Sequence, residues 1–260
     1  KKLISRLPAD GLLVVNGSEP HVRALAAKFR GKKVLYAVPD GWHAKNIACG
    51  TPSTFDLMRG GKKIITLSTL LLGAHNIENI VGISALLLEK DLLTTQELAA
   101  GVASFEGVKR RMELLSPGST VPVLEGFGSS YEKARSAIDA TKLHFPNRRL
   151  LVVFEPHTFT WRNRASLPQY DKVFNGVDKV YIYEPALQGA ATHAQLTQEE
   201  IVSRVQAADV DAEAITDPDT ALETVGNEIR SGDCVLLLTS GELGGLIKSI
   251  PQLAEKKFPD

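Results

Sequence analysis

Cysteine is scarce in this sequence. Cys49 and Cys234 are the two cysteines among 260 residues, and they lie far apart in the chain. Two isolated cysteines form neither a disulfide framework nor a zinc site, which favours a reducing cytoplasm. No apolar run approaches the roughly 18 residues of a membrane span, and no apolar segment follows the charges of the first residues, as it would in a signal peptide. We therefore expect a cytoplasmic protein with no membrane segment.

An excess of charge of one sign is also lacking. Lys plus Arg and Asp plus Glu are equal at 30 each, which argues against a general nucleic-acid binder or a membrane-surface protein. No G-x-x-x-x-G-K-[ST] motif occurs, and no G-x-G-x-x-G follows a strand pattern. By itself, the chain shows neither of the common glycine-rich cradles for nucleotide phosphates.

The first part of the chain alternates strand and helix patterns. Two apolar runs flank a helical pattern over residues 19–30, which predicts a βαβ unit with parallel strands. Gly60-Gly61 separates two further strand patterns and predicts an antiparallel hairpin. Two helical patterns follow. The predicted strands are 12–16, 34–38, 51–57 and 62–67, and the later helices are 76–89 and 95–104.

A breaker cluster at residues 114–119 marks the predicted domain boundary, so we expect domains at 1–115 and 116–260. Beyond it, strands and helices alternate regularly, which is typical of a doubly wound α/β domain. The predicted strands lie near 121–124, 150–155, 178–183, 212–215 and 233–239. The predicted helices lie near 129–143, 162–174, 197–207, 218–230 and 244–255.

The most informative stretch is the strand pattern that ends at Phe154 and its polar loop. His157, Arg162 and Arg164 follow the strand closely. Ligands of open α/β sheets bind beyond the carboxyl ends of strands, and Arg suits carboxylate and phosphate groups. The loop is therefore a candidate anion site. The alternative is a loop whose charges are merely solvated. Residues 188–193, which end in His193, follow the next strand and are expected to line the same site.

Two other groups carry candidate chemistry. His75, Asn76 and Asn79 open a helix after Gly73, and a helix N-terminus presents free N–H groups to polar ligands. The alternative is that Asn76 simply caps the helix. Arg110 and Arg111 stand in a basic turn near the predicted boundary, where an arginine can neutralise a transferring phosphoryl group. The alternative is a solvated basic turn.

These pieces, in this order, resemble the Mur ligases, the ATP-dependent amide ligases of bacterial cell-wall synthesis. Residues 51–56, 73–79 and 107–113 resemble the later half of the family's central ATPase domain, and residues 120–260 resemble its Rossmann-like C-terminal domain. Residues 154–164 and 188–193 look like the peptidoglycan-recycling branch, whose members join a murein tripeptide to UDP-N-acetylmuramate.

The resemblance implies particular roles. His75, Asn76, Asn79 and Arg110 would contact ATP, and Arg110, Arg111 and His157 would serve catalysis through an acyl-phosphate intermediate. Arg162, Arg164 and His193 would bind the peptide substrate. Mg²⁺ would assist, with its ligands mostly upstream of Lys1, and no metal ligand is assigned within this chain.

Two departures from the family pattern bear on activity. The P-loop, the magnesium ligands and the UDP-binding domain would lie upstream of Lys1, so we expect the chain alone to be inactive without that N-terminal region. The family's Asp-Asp-[Phe/Tyr]-[Ala/Gly]-His-His-Pro turn is replaced by residues 125–131, with Gly126, Ser129 and Ser130 at altered positions. The alternatives are a ligase of the folylpolyglutamate synthase type and a non-catalytic α/β binding module.

Overall fold

The computed structural model describes residues 4–184 and 195–260. The chain forms two compact units, Lys1–Gly107 and Val108–Asp260. The division falls before the predicted boundary at 115/116. The reason is that Glu113 and Leu114 pair with Glu125 and Leu124 and so belong to the second sheet. A short edge strand of two residues leaves no periodic pattern for the sequence to reveal.

The first unit is built on a sheet with helices packed against it. Its strands are β1 (Leu12–Asn16), β2 (Lys32–Tyr36), β3 (Trp42–Ala48), β4 (Ser53–Arg59) and β5 (Lys62–Thr69), which lie in chain order across the sheet. Its helices are α1 (Pro20–Ala26), α2 (Ala74–Glu89) and α3 (Thr95–Ser104).

Both strand pairings predicted for this unit are confirmed. β1 and β2 are parallel, and β4 and β5 form an antiparallel hairpin. The sequence does not predict β3, although this strand joins the parallel pair to the antiparallel hairpin by pairing with Tyr36 of β2 and with β4. Only Trp42 of β3 is buried, and the strand becomes exposed toward its end, so it lacks the apolar run that identifies a strand in the sequence.

Local capping and core packing hold this unit together. The Thr94 hydroxyl accepts from the Glu97 backbone, and the Glu97 carboxylate accepts from the Thr94 backbone, so a capping box begins α3. The core is formed by large apolar side chains from the sheet and two helices. Its buried members are Trp42, Phe55, Leu57, Leu67, Ile77, Ile80, Val81, Ala85 and Leu98.

Asp56, in the middle of the hairpin, forms one ion pair and two hydrogen bonds. Its carboxylate lies 2.6 Å from Lys63 Nζ and accepts hydrogen bonds from Asn46 at 2.9 Å and Thr66 at 2.7 Å. Lys63, followed by Asn46 and Thr66, lowers the pKa of Asp56 to about 2. These contacts favour the ionised carboxylate in the folded state.

The second unit contains a sheet that is parallel apart from its short edge strand. Its strands are β6 (Glu113–Leu114), β7 (Val123–Phe127), β8 (Arg149–Phe154), β9 (Lys179–Tyr183), β10 (Asp211–Ile215) and β11 (Asp233–Thr239). Their order across the sheet is β10-β9-β8-β11-β7-β6. The last strand in sequence, β11, therefore lies between β8 and β7 and is parallel to both.

Helices cover both faces of this sheet. They are α4 (Tyr131–His144), α5 (Phe159–Arg162), α6 (Tyr170–Val173), α7 (Gln198–Gln206), α8 (Pro218–Glu228) and α9 (Leu246–Lys257). On one face, α8 and α9 pack on Leu151, Val153, Val235 and Leu237. On the other, Phe154 meets the rings of Trp161, Tyr170 and Phe174. The predicted doubly wound α/β class is confirmed, and the apolar runs of β8 and β11 follow from burial on both faces.

One predicted helix, 162–174, is broken in the structure. Asn163 is extended, and its side chain accepts from the Ala165 backbone, which begins a 3₁₀ segment over Arg164–Gln169 that contains Pro168. Asn favours such local bonds over a continuing helix, and Pro cannot supply the backbone donor that a helix interior needs. The segment thus turns instead of running straight.

Gly126 of β7 explains one departure from the family pattern. A Cβ at this position would lie 2.9 Å from Leu238 Cδ2 and 3.1 Å from Ala137 Cβ. A side chain here would press on Leu238 and Ala137, so glycine lets α4 pack closely on β7 and β11.

In the described part of the chain, no helix has the length and apolar character needed to cross a bilayer.

We expect D56N to lower the free energy of unfolding of the first unit at neutral pH. The folded-state pKa of about 2 lies below the ordinary value of roughly 3.9. The stabilisation is therefore full above about pH 4 and is lost as the pH falls through about 2. Urea unfolding followed by Trp42 fluorescence in a W161F background should show a deficit at pH 7 that shrinks toward pH 2. D40N, which changes an exposed aspartate of the same unit, is the control. A deficit that does not depend on pH would contradict this account.

Candidate active site

The carboxyl edge of the second sheet gathers the polar side chains of this unit around β11. Glu155 directly follows β8, Thr239 ends β11, and Glu125 lies in β7. The chain crosses the sheet from β7 through β8 and β9 to β10, and it then returns to place β11 between β8 and β7. Such a switch point is where open α/β sheets bind ligands.

Arg110 is fixed to this edge by two contacts. Its Nε donates to Glu125 Oε1 at 2.6 Å, and its Nη2 donates to the carbonyl oxygen of Gly241. The Glu125 side chain is almost fully buried. The Arg110 backbone is left-handed, with φ 66°, and its N–H donates to Glu113 Oε2 at 2.8 Å. Arg110 thus ties the turn at residues 108–112 to β7 and to the loop after β11.

Arg111 differs from its neighbour because it is exposed. The structure therefore separates two residues that the sequence treated as one basic pair. Arg110 fills a structural position against a buried carboxylate, whereas Arg111 presents its charge to solvent.

Glu155 is the second buried carboxylate at this edge, with 5% of its surface exposed. The Thr239 hydroxyl donates to its Oε2, and the Leu243 backbone N–H lies 3.3 Å from the same oxygen. The other oxygen, Oε1, lies 3.4 Å from Nδ1 of His157. The backbone N–H of His157 also donates to the Glu155 carbonyl at 2.7 Å. A tight turn around Pro156 therefore holds the imidazole next to the carboxylate.

Gly241 makes this arrangement possible. A Cβ built at this position would lie 2.6 Å from His157 Nδ1 and 2.8 Å from Glu155 Oε2. Real Cβ atoms do not approach other atoms so closely, so a side chain here would displace the imidazole or the carboxylate. The glycine-rich turn after β11 thus lets two of the protein's own side chains approach its backbone.

The two arginines of the 155–164 loop are placed very differently. Arg162 is buried, with 4% of its surface exposed, beside Trp161, whose Nε1 donates to the Gly128 carbonyl at 2.6 Å. Arg164 forms an ion pair with Glu200 of α7 at 2.8 Å, and 54% of its side chain is exposed. His193 and the rest of the 188–193 loop lie outside the described residues.

The predicted ATP-contacting residues lie at the start of α2 in the first unit. Gly73 is the N-cap, with φ 93° and no side-chain cap. Asn76 is the third helical residue, and its amide donates to the Leu72 carbonyl at 2.9 Å, so the alternative that Asn76 caps the helix is wrong. Asn79 is exposed and lies one turn further on.

His75 stands in a partly crowded setting at the same helix start. Neighbouring protein atoms lower the pKa of His75 by desolvation, and the charge of Glu78 works in the opposite direction. Glu78 itself accepts from Asn16 Nδ2 at 2.5 Å, so the end of β1 is tied to the first turns of α2. An imidazole and two amide side chains thus lie in the first turns of a helix that no side chain caps.

Sequence reasoning assigned no roles to Glu125, Glu155 or Thr239. Their signal was present, since each stands at or near the end of a predicted strand, but the sequence does not show that β11 lies between β7 and β8. Among the described residues, no group of three or more His, Cys, Asp or Glu side chains could hold a metal ion.

We expect G241A to lower the free energy of unfolding of the second unit by about 1–3 kcal/mol, because an added methyl group overpacks His157 and Glu155. G118A is the matched control, since its Cβ would lie at an ordinary 3.5 Å from Glu255 Oε1. Denaturant unfolding followed by Trp161 fluorescence measures both variants. Equal stabilities for the two variants would contradict the close approach at Gly241.

The comparisons with known proteins identify the family of the chain. The family described as Mur ligase, glutamate ligase domain, matches residues 110–241, just over half of the chain. A UDP-N-acetylmuramate–L-alanine ligase of Sorangium cellulosum is 27% identical over 263 residues, which cover 98% of this chain and 55% of the relative. The chain spans about half the length of the curated relatives it matches.

Solved structures share the fold at low sequence identity. UDP-N-acetylmuramate–alanine ligase MurC of Thermotoga maritima superposes with a TM-score of 0.71 at 17% identity, over 95% of this chain and 51% of that one. A murein peptide ligase of Psychrobacter arcticus gives a TM-score of 0.64 at 18% identity, over 97% and 53%. The family match covers Arg110, Glu125, Glu155, His157 and Gly241. The chain belongs to the Mur ligase family.

Proposed function

We propose that the chain is the C-terminal part of an ATP-dependent ligase that joins an amine to the carboxylate of UDP-N-acetylmuramate. The observation that carries this proposal is the cluster of Arg110, Glu125, Glu155, His157 and Gly241 at the switch point of a sheet that lies within the matched family region. In this proposal the first unit is the later part of the central ATPase domain, and the second unit is the C-terminal domain.

The proposed reaction proceeds through an acyl phosphate. ATP phosphorylates the carboxylate, the amine nitrogen attacks the acyl carbon, and inorganic phosphate leaves with the electrons of the broken C–O bond. Negative charge develops on the phosphoryl and carbonyl oxygens, so fixed positive groups lower the barrier. The residues of this chain would supply some of these positive groups and would orient the amine.

Arg111 is the better candidate for the phosphate contact. Moving Arg110 toward a ligand would leave the buried Glu125 carboxylate unpaired, and an unpaired buried charge is costly. Arg111 carries the same charge on an exposed side chain and can reach a ligand without that cost. We therefore assign the catalytic role to Arg111 and the role of holding the turn to Arg110.

The start of α2 fits the binding of a nucleotide. No side chain caps α2 at Gly73, and the N-terminus of a helix favours negatively charged groups such as phosphate. The amide of Asn79 and the imidazole of His75 add polar groups that suit a purine or ribose. Mg²⁺ would neutralise phosphate charge when bound, and the described residues of this chain would leave its ligation to other parts of the protein.

The proposed amine substrate is a murein tripeptide. The residues from Phe154 to Arg164 support this choice through their resemblance to the recycling branch. Arg164, whose side chain is 54% exposed, can bind a carboxylate in a planar, bidentate manner. A second candidate is L-alanine, the amine named in the activity of the Sorangium cellulosum relative.

The test uses the protein encoded by the longest open reading frame that contains this sequence. The protein is incubated with ATP, Mg²⁺ and UDP-N-acetylmuramate, together with the tripeptide L-Ala-γ-D-Glu-meso-diaminopimelate in one reaction and L-alanine in another. A third reaction contains ATP, Mg²⁺, a folate and glutamate. Phosphate release and product mass are measured. We expect phosphate release that depends on UDP-N-acetylmuramate, and a product in which the tripeptide is joined to UDP-N-acetylmuramate. An L-alanine product selects the second amine, a folate product selects the folylpolyglutamate alternative, and binding without turnover selects the non-catalytic module.

The two adjacent arginines should separate in kinetics and stability. R111A should lower kcat by about 10³-fold, the scale of losing an arginine that stabilises phosphoryl charge, with little change in stability. R110A should lower the free energy of unfolding of the second unit by roughly 1–3 kcal/mol, because Glu125 loses its partner. Steady-state kinetics and urea unfolding of both variants check this. A kcat for R111A within a few-fold of the unchanged protein would exclude its role.

A further inference from the structure

We propose that Glu200 is a positioning residue that holds the guanidinium of Arg164 ready for a carboxylate of the murein tripeptide. This inference rests on the proposed function and deepens it, because it assigns a residue that makes the binding of the amine substrate depend on the carboxylates of that substrate. Glu200 acts through Arg164 and does not itself touch the peptide. Both residues lie in the second unit.

The first supporting observation is the place where α7 begins. The side-chain amide of Gln198 donates to the carbonyl oxygens of Ile182 at 2.7 Å and Ile215 at 2.9 Å. These two residues lie at the carboxyl ends of β9 and β10, so the first turn of α7 is fixed to the edge of the sheet at which open α/β folds bind ligands. Glu200, two residues after Gln198, is therefore held near that edge.

The second observation is the fixed position of the Glu200 carboxylate. Its Oε2 accepts from the Thr197 backbone N–H at 2.9 Å, and the Thr197 hydroxyl accepts from the Glu200 N–H at 3.1 Å, so a capping box begins α7. The other oxygen, Oε1, lies 2.8 Å from Nη2 of Arg164. The Thr197 backbone, followed by Arg164, lowers the pKa of Glu200. The carboxylate is therefore charged at neutral pH and is oriented by its own helix.

The third observation is that the backbone before Arg164 is joined to the backbone before α7. The Leu196 N–H donates to the Arg162 carbonyl at 2.8 Å, and Asn163 forms an isolated antiparallel bridge with Gln195. These contacts set the distance between the start of the arginine side chain and the start of α7. The ion pair with Glu200 then fixes the far end of the same side chain, so both ends of Arg164 are held by one helix start.

A guanidinium held in this way suits a carboxylate ligand. It carries five N–H donors in a planar fork, and the Arg164 side chain is 54% exposed, so a ligand can reach it from solvent. A long side chain loses rotational freedom when it binds, and holding it in place beforehand reduces that loss. The tripeptide carries several carboxylates, so its binding benefits from a pre-oriented arginine. An exposed ion pair that served stability alone would contribute little.

Kinetics of the full-length protein with the tripeptide test the pair. R164A should raise the KM for the tripeptide by about 10- to 100-fold, the scale of losing a charged hydrogen-bond partner, with kcat within about threefold. E200Q keeps an acceptor for Thr197 but loses the charge, and should raise this KM by about three- to tenfold. In an R164A background, E200Q should change nothing further, because coupled residues are not additive. E199Q, which changes the exposed neighbouring glutamate of α7, is the control and should leave the KM unchanged.

The outcomes separate positioning from helix capping and from the proposed function. An equal effect of E200Q with and without Arg164 assigns Glu200 to the capping of α7 alone, and a lower KM in E200Q makes it a competitor of the ligand. Either result overturns the positioning role. Tripeptides amidated at one carboxylate at a time should include one for which R164A no longer raises the KM. Tripeptide ligation with an unchanged KM in R164A overturns this inference alone, whereas a protein that does not ligate the tripeptide overturns the proposed amine substrate as well.

Discussion

The place of β11 between β8 and β7 is the constraint on which the second unit depends. Its residues are buried along the whole strand, since helices cover both faces and a parallel strand flanks each edge. Because its carboxyl end can emerge only between those two neighbours, Thr239 meets Glu155 from β8, and Gly241 meets Arg110, which is paired with Glu125 of β7. Three segments far apart in sequence are thus assembled at one edge.

Buried charged side chains fix the geometry of this edge of the sheet. Glu125 and Glu155 are almost removed from water, and each is held by donors from other segments: Arg110 for the first, Thr239 and Leu243 for the second. A buried carboxylate without such donors would destabilise the fold. The donors therefore have to arrive in register, and the resulting geometry is more sharply defined than an apolar contact would make it. The same rigidity is what a site that orients a ligand requires.

Glycine and tight turns complete the arrangement where side chains would not fit. Gly126 allows α4 to pack on β7, and Gly241 allows His157 and Glu155 to approach the loop after β11. The substitution of Gly126 within the family turn thus has a packing explanation in this chain.

The class of the fold and the positions of most elements could be predicted from the sequence alone. The apolar runs of β8 and β11, the Gly-Gly hairpin and the Thr94 capping box are local signals, because the period of the side chains and the chemistry of turns act over a few residues. Tertiary contacts between distant segments determined the remaining features. The edge strand at Glu113–Leu114, the separation of Arg110 from Arg111 and the pairing of Glu155 with His157 depend on which strands become neighbours. That choice is made by packing between segments more than 80 residues apart, such as Glu155 and Thr239, and no local pattern records it.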